Sequence, residues 1–378
     1  IYSIIDKKLK LKNIKKETDR IIVHCSELIS TINNNINKYL TIKDEINDLI
    51  LNSYNKKDKS KSSWIKNLGL NIFKYCKLYF NDKLINDIPR EYFYIDFEMN
   101  TTKINKEKYS KLIGNISDLT DYNTTKKPEY TLYIKIPFWF CNHKKHFIYI
   151  KKLQNTNITL KYEINELNNL VIMENNTKIV NKNKFNINLI CDYIYIDDKY
   201  SDIIKEKNFL IEQIQCLVSK NLNHKETYID IPLQFSNCVK DMIFVLIRQN
   251  DIINNNYNNY CYTNLLNEND NPVKESYIIV NGKKTTMIYN DIFLNYINPY
   301  KYYNCTPKLG INIYSFSLNP DNFNPAGTYN FSVLNNSILR VSLKDDVFST
   351  KDNANIYIFT KSYNILKIVS GMSNLIFI

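Results

Sequence analysis

The sequence predicts an all-β protein made of antiparallel sandwiches or barrels, and three observations carry that prediction. In residues 310–343 (GINIYSFSLNPDNFNPAGTYNFSVLNNSILRVSL), Tyr314, Phe316 and Leu318 alternate with Ser315 and Ser317. Leu339, Val341 and Leu343 likewise alternate with Arg340, Ser342 and Lys344, and a period of two is that of a half-buried strand. Between these runs lie Asn319, Pro320 and Asp321, then Pro325, Ala326 and Gly327. Proline fixes φ and lacks an N–H, while glycine reaches positive φ, so both reversals stand where a β-ladder must stop. Third, aromatics make up 13% of the 378 residues, with 30 Tyr and 18 Phe against 6 Gly and 9 Pro; that balance suits pleated, half-buried surfaces. The length fits two domains of under about two hundred residues each.

The order Tyr314-x-Phe316-x-Leu318-x-Pro320, Asn324-Pro325-x-Gly327-Thr328, Asn330-Phe331-Ser332 and Asn335 resembles the second jelly roll of the major capsid proteins of nucleocytoplasmic large DNA viruses. Residues 363–372, ending in Ser370, Gly371 and Met372, are similar to that family's terminal strand. Ala326 stands where the family usually has serine, and Val333 and Asn335 where arginine and aspartate are common. The resemblance implies two consecutive eight-stranded antiparallel jelly rolls with a short connecting helix and long loops. Residues 1–212 would form the first, its initial strands divergent or preceding Ile1, and 213–378 the second. Pro320, Pro325, Gly327, Thr328, Asn330, Phe331, Ser332, Ser370, Gly371 and Met372 are the structural motif residues it carries over.

Taken in order, residues 18–50 have Ile29, Ile32, Ile36 and Tyr39 at helical spacing, which permits one or two short helices. From Trp64 the pattern is a strand, a tight Asn81-Asp82 turn and a continuation, similar to the family's strand and turn before an aromatic-rich helix. Residues 100–128 are polar and predict a long exposed loop; their sequons at Asn100, Asn115 and Asn123 are expected by chance in an Asn-rich chain. A strand over 131–136 breaks at Pro137, and the resemblance adds strands at 147–150 and 158–164. Residues 189–196 (LICDYIYI) read as a strand buried on much of both faces. Asp197, Asp198 and Ser201 then offer N-cap oxygens to a helix with Ile203, Leu210, Ile211 and Ile214 on one face, which the resemblance makes the connection between jelly rolls. Strands at 227–235 and 239–248, an outward loop at 251–271 and an Asn281-Gly282 type I′ hairpin complete the second half.

The formal charge of +12 raises nucleic acid or an anionic membrane as partners. The lysines are dispersed, however, and the one local run, residues 55–63, reads as a solvated loop. No run of about 18 apolar residues predicts a transmembrane helix, and no signal peptide is read behind Ile1. Eight cysteines scattered singly point to a reducing compartment rather than a disulfide framework.

Cys141, His143 and His146 form Cys-x-His-x-x-His, for which Cys191 or His24 could in principle provide the fourth zinc ligand; a polar loop after a strand accounts for them better. Six glycines leave no phosphate-binding pattern and no nucleophile elbow. Asp96 and Glu98, two apart, read as one solvated strand face rather than a glycosidase pair. Phe138, Trp139 and Phe140 read as core rather than a sugar-stacking platform. No catalytic constellation, metal or cofactor is therefore expected.

The resemblance implies a structural protein that self-assembles as trimeric, pseudo-hexameric capsomers into an icosahedral shell, assembled in the host cytoplasm and resident in the virion capsid. Its implied partners are two further copies, neighbouring capsomers, minor capsid proteins and an internal viral membrane, with no specific nucleic acid. A poxvirus-type scaffold of the same fold and a carbohydrate-binding β-sandwich are the alternatives. Loops 100–128 and 251–271 are expected to project from one end, and Gly327 to occupy a turn position that tolerates little or no Cβ.

Overall fold

The computed structural model describes residues 39–44, 60–142, 146–174, 185–195, 208–222, 228–257, 262–264, 267–344 and 353–377. Among the described residues, eight strands precede residue 191: β1 (Tyr39–Asp44), β2 (Ser62–Trp64), β3 (Phe73–Phe80), β4 (Lys83–Pro89), β5 (Tyr130–Lys135), β6 (Ile158–Ile164), β7 (Val171–Met173) and β8 (Asn186–Ile190). They pair antiparallel as β5-β1-β8, β4-β3-β6 and β2-β7. The second half holds β9 (Asn208–Leu222), β10 (Tyr228–Pro232), β11 (Cys238–Arg248), the hairpin β12 (Tyr262–Asn264) and β13 (Asn267–Asp270), β14 (Val273–Val280), β15 (Lys283–Lys284) and β16 (Tyr289–Asn290). It continues with β17 (Asn312–Ser315), β18 (Tyr329–Asn330), β19 (Ser337–Leu343), β20 (Ala354–Val369) and β21 (Met372–Leu375). One sheet runs β10-β19-β14 with β15 and β16 on β14, and the other runs β17-β11-β20 with β9 on the far side of β20.

The two halves repeat one plan. The order β8-β1-β5 corresponds to β20-β11-β17, and β6-β3-β4 to β19-β14-β15. Both repeats turn on asparagine: Asn81 and Asn281 have φ of 52° and 51°, the left-handed conformation a two-residue hairpin requires. After each hairpin the chain enters a helix, α2 (Arg90–Asn100) in the first half, preceded by the single-turn α1 (Leu68–Asn71), and residues 291–302 in the second. Two facing antiparallel sheets with this order make each half a jelly roll.

The central sheet has no solvent face over most of its length. Along β11, Val239, Met242, Phe244 and Leu246 join the core of the second half, whereas Ile243, Val245 and Ile247 join the core of the first. Ile356 and Ile358 of β20 face the former and Phe359 the latter. Successive side chains of a strand point to opposite faces, so a strand apolar at every position must have a partner on each side.

Several expectations are corrected. Residues 208–214 are strand rather than helix, because β20 offers β9 an antiparallel partner for nearly its whole length. Residue 212 therefore lies inside β9. Residues 100–128 are not a loop but contain α3 (Lys103–Leu112) and α4 (Ser117–Thr120), anchored by fully buried Ile113 and Leu119. No strand forms over 147–150; the chain turns through a 3-10 helix, Ile150–Lys152, that buries Tyr149 and Leu153. β8 ends at Ile190 and leaves Ile194 and Tyr195 exposed, so 189–196 is not buried on both faces. Residues 251–271 include part of α6 (Gln249–Ile253) and the β12-β13 hairpin, and Tyr257 is buried. Alternation after Tyr314 stops at Ser315: Leu318 donates its N–H to Ala326 O at 3.0 Å and stays exposed. Tyr39 opens β1 rather than belonging to a helix, while Ile29, Ile32 and Ile36 lie outside the described residues. Among the described residues no helix is long and apolar enough to cross a membrane.

The shared sheet makes folding of the halves interdependent. Ile243→Ala, facing the first half, and Phe244→Ala, facing the second, should each cost about 2–5 kcal/mol. Calorimetry should show each lowering a single common transition; two transitions that respond separately would contradict the shared core.

Candidate functional site at the seam between the halves

Helix α2 begins at Pro89, whose extended backbone and missing N–H suit the residue just before a helix. Phe93, Ile95, Phe97 and Met99 are buried with it in the first half's core, and Tyr92 reaches across to place its ring 5.6 Å from Phe359. Asp96 and Glu98 lie on this helix, both buried, rather than on a solvated strand face. Asn100 and Asn142 donate to Asp96 Oδ1 at 2.6 and 3.2 Å. Lys106 Nζ sits 2.5 Å from Glu98 Oε2, and Lys308, from the second half, 3.8 Å from Oε1. Carboxylates held this way anchor the helix and leave no general acid and base facing a shared substrate.

Two β-bulges aim polar groups into the seam. In β4 the extra residue is Ile85, since Leu78 opposes Asn86 and Tyr79 opposes Leu84. Gln213 of β9 donates its side-chain amide to Ile85 O, Asn86 Nδ2 donates to Glu212 O at 3.4 Å, and Ile214 N donates to Asn86 Oδ1 at 3.0 Å. Side chains thereby satisfy the outer edge of β9 around residues 212–214, where Ile211 and Glu212 are buried. In β11 the extra residue is Lys240, between Val239 opposite Ser362 and Asp241 opposite Lys361. A bulge sets two consecutive side chains on one face. Here that face carries Lys240 and Asp241 toward the first half.

The charges pair locally. Lys240 Nζ bonds Glu212 Oε1, Lys361 Nζ lies 3.4 Å from Asp241 Oδ2, and Tyr303 O–H donates to the same oxygen at 2.9 Å. Burial opposes the Lys361 ammonium, but Asp241, Tyr92, Glu212 and Asp321 together outweigh it and hold the group well above its ordinary 10.5. Burial, then the same carboxylate, pushes the Tyr303 phenol up as well. The cleft between Asn86, Tyr92, Asn142, Glu212, Asp321 and Lys361 has room for about one water-sized molecule. Lys240, Glu212, Lys361, Asp241 and Tyr303 all belong to the second half, so the pairs neutralise one another on the face of its own sheet that turns toward the first half, while the side-chain bonds of Asn86 and Gln213 are the polar ties that cross the seam here.

The motif residues flank this seam. Pro320 is buried and lines the cleft, while Pro325 and Thr328 are exposed. Gly327 has φ of +117°, and a Cβ there would stand 3.0 Å from Phe316 O. Asn330 accepts from Ser332 N at 3.0 Å, Phe331 N donates to Asn237 O at 3.0 Å, and Asn237 N donates to Ser332 Oγ at 2.7 Å; the motif thus fastens onto the start of β11. Ser370 and Gly371 form a left-handed turn between β20 and β21, and Met372 opens β21. Asn155 of the first half donates its backbone N–H to Gly371 O and its side-chain amide to Ser370 O, both at 3.0 Å. Cys141 is buried at the end of α5 (Trp139–Asn142), His146 stacks on Phe323 with centroids 3.3 Å apart, and His143 lies outside the described residues. Sequence reading missed Glu212, Lys240, Asp241 and Lys361; the visible signal was a Lys-Asp pair opening an otherwise apolar strand.

The "Large eukaryotic DNA virus major capsid protein" family matches residues 203–374, and the "Major capsid protein N-terminus" family matches residues 21–197. The chain belongs to the major capsid protein family of large eukaryotic DNA viruses. It is 32% identical over 106 residues to the major capsid protein of Chrysochromulina ericina virus, a match covering 28% of this chain and 18% of that one. To the major capsid protein of Frog virus 3 it is 20% identical over 383 residues, 89% of this chain and 82% of the other. Its fold is similar to that in the quasi-atomic structure of the PBCV-1 virus capsid, with TM-score 0.71 and 17% identity over 91% of this chain and 90% of that chain. These are structural proteins, not enzymes.

Lys361→Met leaves the buried Asp241 without the cation it faces, and chemical denaturation should register a loss of about 3–5 kcal/mol, much of it recovered by adding Asp241→Asn. Because the folded value of Lys361 lies above the unfolded one, its contribution is complete below about pH 10.5 and is lost as pH rises through the folded value. The Lys361→Met variant should therefore lose less stability than the parent on that alkaline limb; equal losses would contradict the assignment. Separately, Gly327→Val should cost roughly 1–3 kcal/mol through backbone strain at positive φ, visible as a lowered Tm, and an unchanged Tm would contradict it.

Proposed function

We propose that this chain is a major capsid protein whose work is self-assembly: three copies form a pseudo-hexameric capsomer, and capsomers tile an icosahedral shell. The observation that carries the reading is the internal repeat. Two jelly rolls of one plan, locked side by side, give each chain two similar corners, so three chains about an axis make a tile with nearly six-fold outline. We place the division between the units before Asn208, since β9 pairs with β20 and not with the first half's sheets. Within the shell the capsomer meets neighbouring capsomers, minor capsid proteins and an internal viral membrane. Assembly in the host cytoplasm fits the scattered single cysteines. Helix α3 buries none of its residues, in keeping with a segment that projects from the tile.

Light scattering at micromolar concentration tests the stoichiometry. A particle three times the 44.9 kDa chain mass is expected; a stable monomer would overturn the reading.

A further inference from the structure

The hairpins of the two repeats open on the same end of the molecule, and hydrogen bonds hold the neighbouring turns level with them. Asn81 donates its N–H to Asn157 O at 2.6 Å and accepts from Asn157 N at 2.8 Å on its side chain, and Asn281 N donates to Asn336 O at 3.3 Å. The Ser370-Gly371 turn, where β20 ends, joins them through Asn155, and the 331–333 turn through Asn237 at the start of β11. Residues 81–84, 150–157, 281–284, 331–336 and 369–372 thus share one end.

The lysines that lie dispersed along the chain gather there. These turns hold Lys83, Lys151, Lys152, Lys283 and Lys284 against the one carboxylate of Asp82. The opposite end has no such excess. There residues 90–129 carry seven cations and seven carboxylates, and residues 165–174 and 249–257 add Glu166, Glu174 and Asp251 with no lysine or arginine. Aliphatic side chains stand exposed among the clustered cations, with Val333 at 70%, Met372 at 56%, Val369 at 46% and Leu84 at 41%.

We propose that this end is a membrane-contact surface and that its occupant is an anionic lipid bilayer. A negatively charged leaflet attracts a lysine cluster, and the long lysine stem lies along apolar surface while its ammonium reaches the phosphates. Charge alone anchors weakly, so the aliphatic tips between the cations supply the second signal by entering the headgroup layer. Nucleic acid fits this end less well. Strands are gripped through arginine forks and stacking rings, whereas these turns contain no arginine and their one aromatic, Phe331, is buried. The inference rests on the membrane contact proposed above and assigns it to named residues.

The test is flotation of the full chain with vesicles of phosphatidylcholine, alone or mixed with phosphatidylserine, with circular dichroism as the folding control. The parent should float only with the anionic vesicles and be released near 1 M salt, where the Debye length falls to about 3 Å. The Lys83→Glu/Lys283→Glu/Lys284→Glu variant should need at least about tenfold more anionic lipid for half-maximal binding. A variant of equal net charge altered at the other end, Lys103→Glu/Lys108→Glu/Lys111→Glu, should bind like the parent. Equal weakening of both variants overturns the assignment to this end, and so does displacement of the parent from the vesicles by duplex DNA. A parent that ignores anionic vesicles yet scatters light as a trimer overturns the lipid contact and leaves the capsomer reading standing. Should the first variant fail to fold, a photocrosslinking residue at position 333 decides: lipid adducts there support the contact, and adducts confined to the same probe at position 104, or at neither position, overturn it.

Discussion

The fold depends on one sheet that faces two cores. β11 and β20 carry apolar side chains on both surfaces, and neither surface has an alternative in water: Phe244 and Ile358 belong to one interior, Val245 and Phe359 to the other. At about 25 cal/mol per Å² of apolar area, opening either side of this sheet carries a cost that grows with every apolar side chain it uncovers. The two jelly rolls are therefore one folding unit in energetic terms even though the chain repeats a single plan. That rigidity suits the capsomer proposed above, because a hinge between the halves would blur the angle at which neighbouring copies meet.

Apolar burial alone does not set that angle. Two hydrophobic faces can slide, and the seam prevents sliding with directional groups placed by irregularities in the strands. The Ile85 bulge lets Asn86 and Gln213 tie β4 to the edge of β9, while the Lys240 bulge sets two opposite charges on the seam-facing side of the second half's own sheet, where Glu212 and Lys361 of that sheet pair with them. Buried pairs of this kind add little net stability but penalise misregistered pairing of β9, β11 and β20. The Ser370-Gly371 turn, held by Asn155, fixes a second point across the seam.

Much of this was legible in residue order. The alternation in β19, the Asn81 and Asn281 turns, the break at Pro137 and the strand over 158–164 all arise from local chemistry, and local chemistry decided them. What failed was decided by distant partners. Leu210, Ile211 and Ile214 satisfy a helical spacing, yet β20 claims the segment as a strand; Asp96 and Glu98 read as solvent-facing until Asn142, Lys106 and Lys308 arrive from elsewhere in the chain. The seam was hidden for the same reason. A bulge leaves no mark in a sequence beyond one residue too many, and the Lys240-Asp241 pair acquires meaning only when Glu212 and Lys361 stand opposite it. The basic end was likewise invisible, because Lys83, Lys151 and Lys283 stand far apart in the chain and share an end only once the two hairpins are aligned.

Native-state hydrogen exchange on the intact chain measures the shared sheet most directly. Amides of Ile243 to Ile247 and of Ile356 to Phe359 should exchange only through global unfolding, with the same opening free energy as the buried amides of β3 in the first half. If β3 instead opens at a free energy well below that of β11, the halves unfold independently and the central claim is wrong.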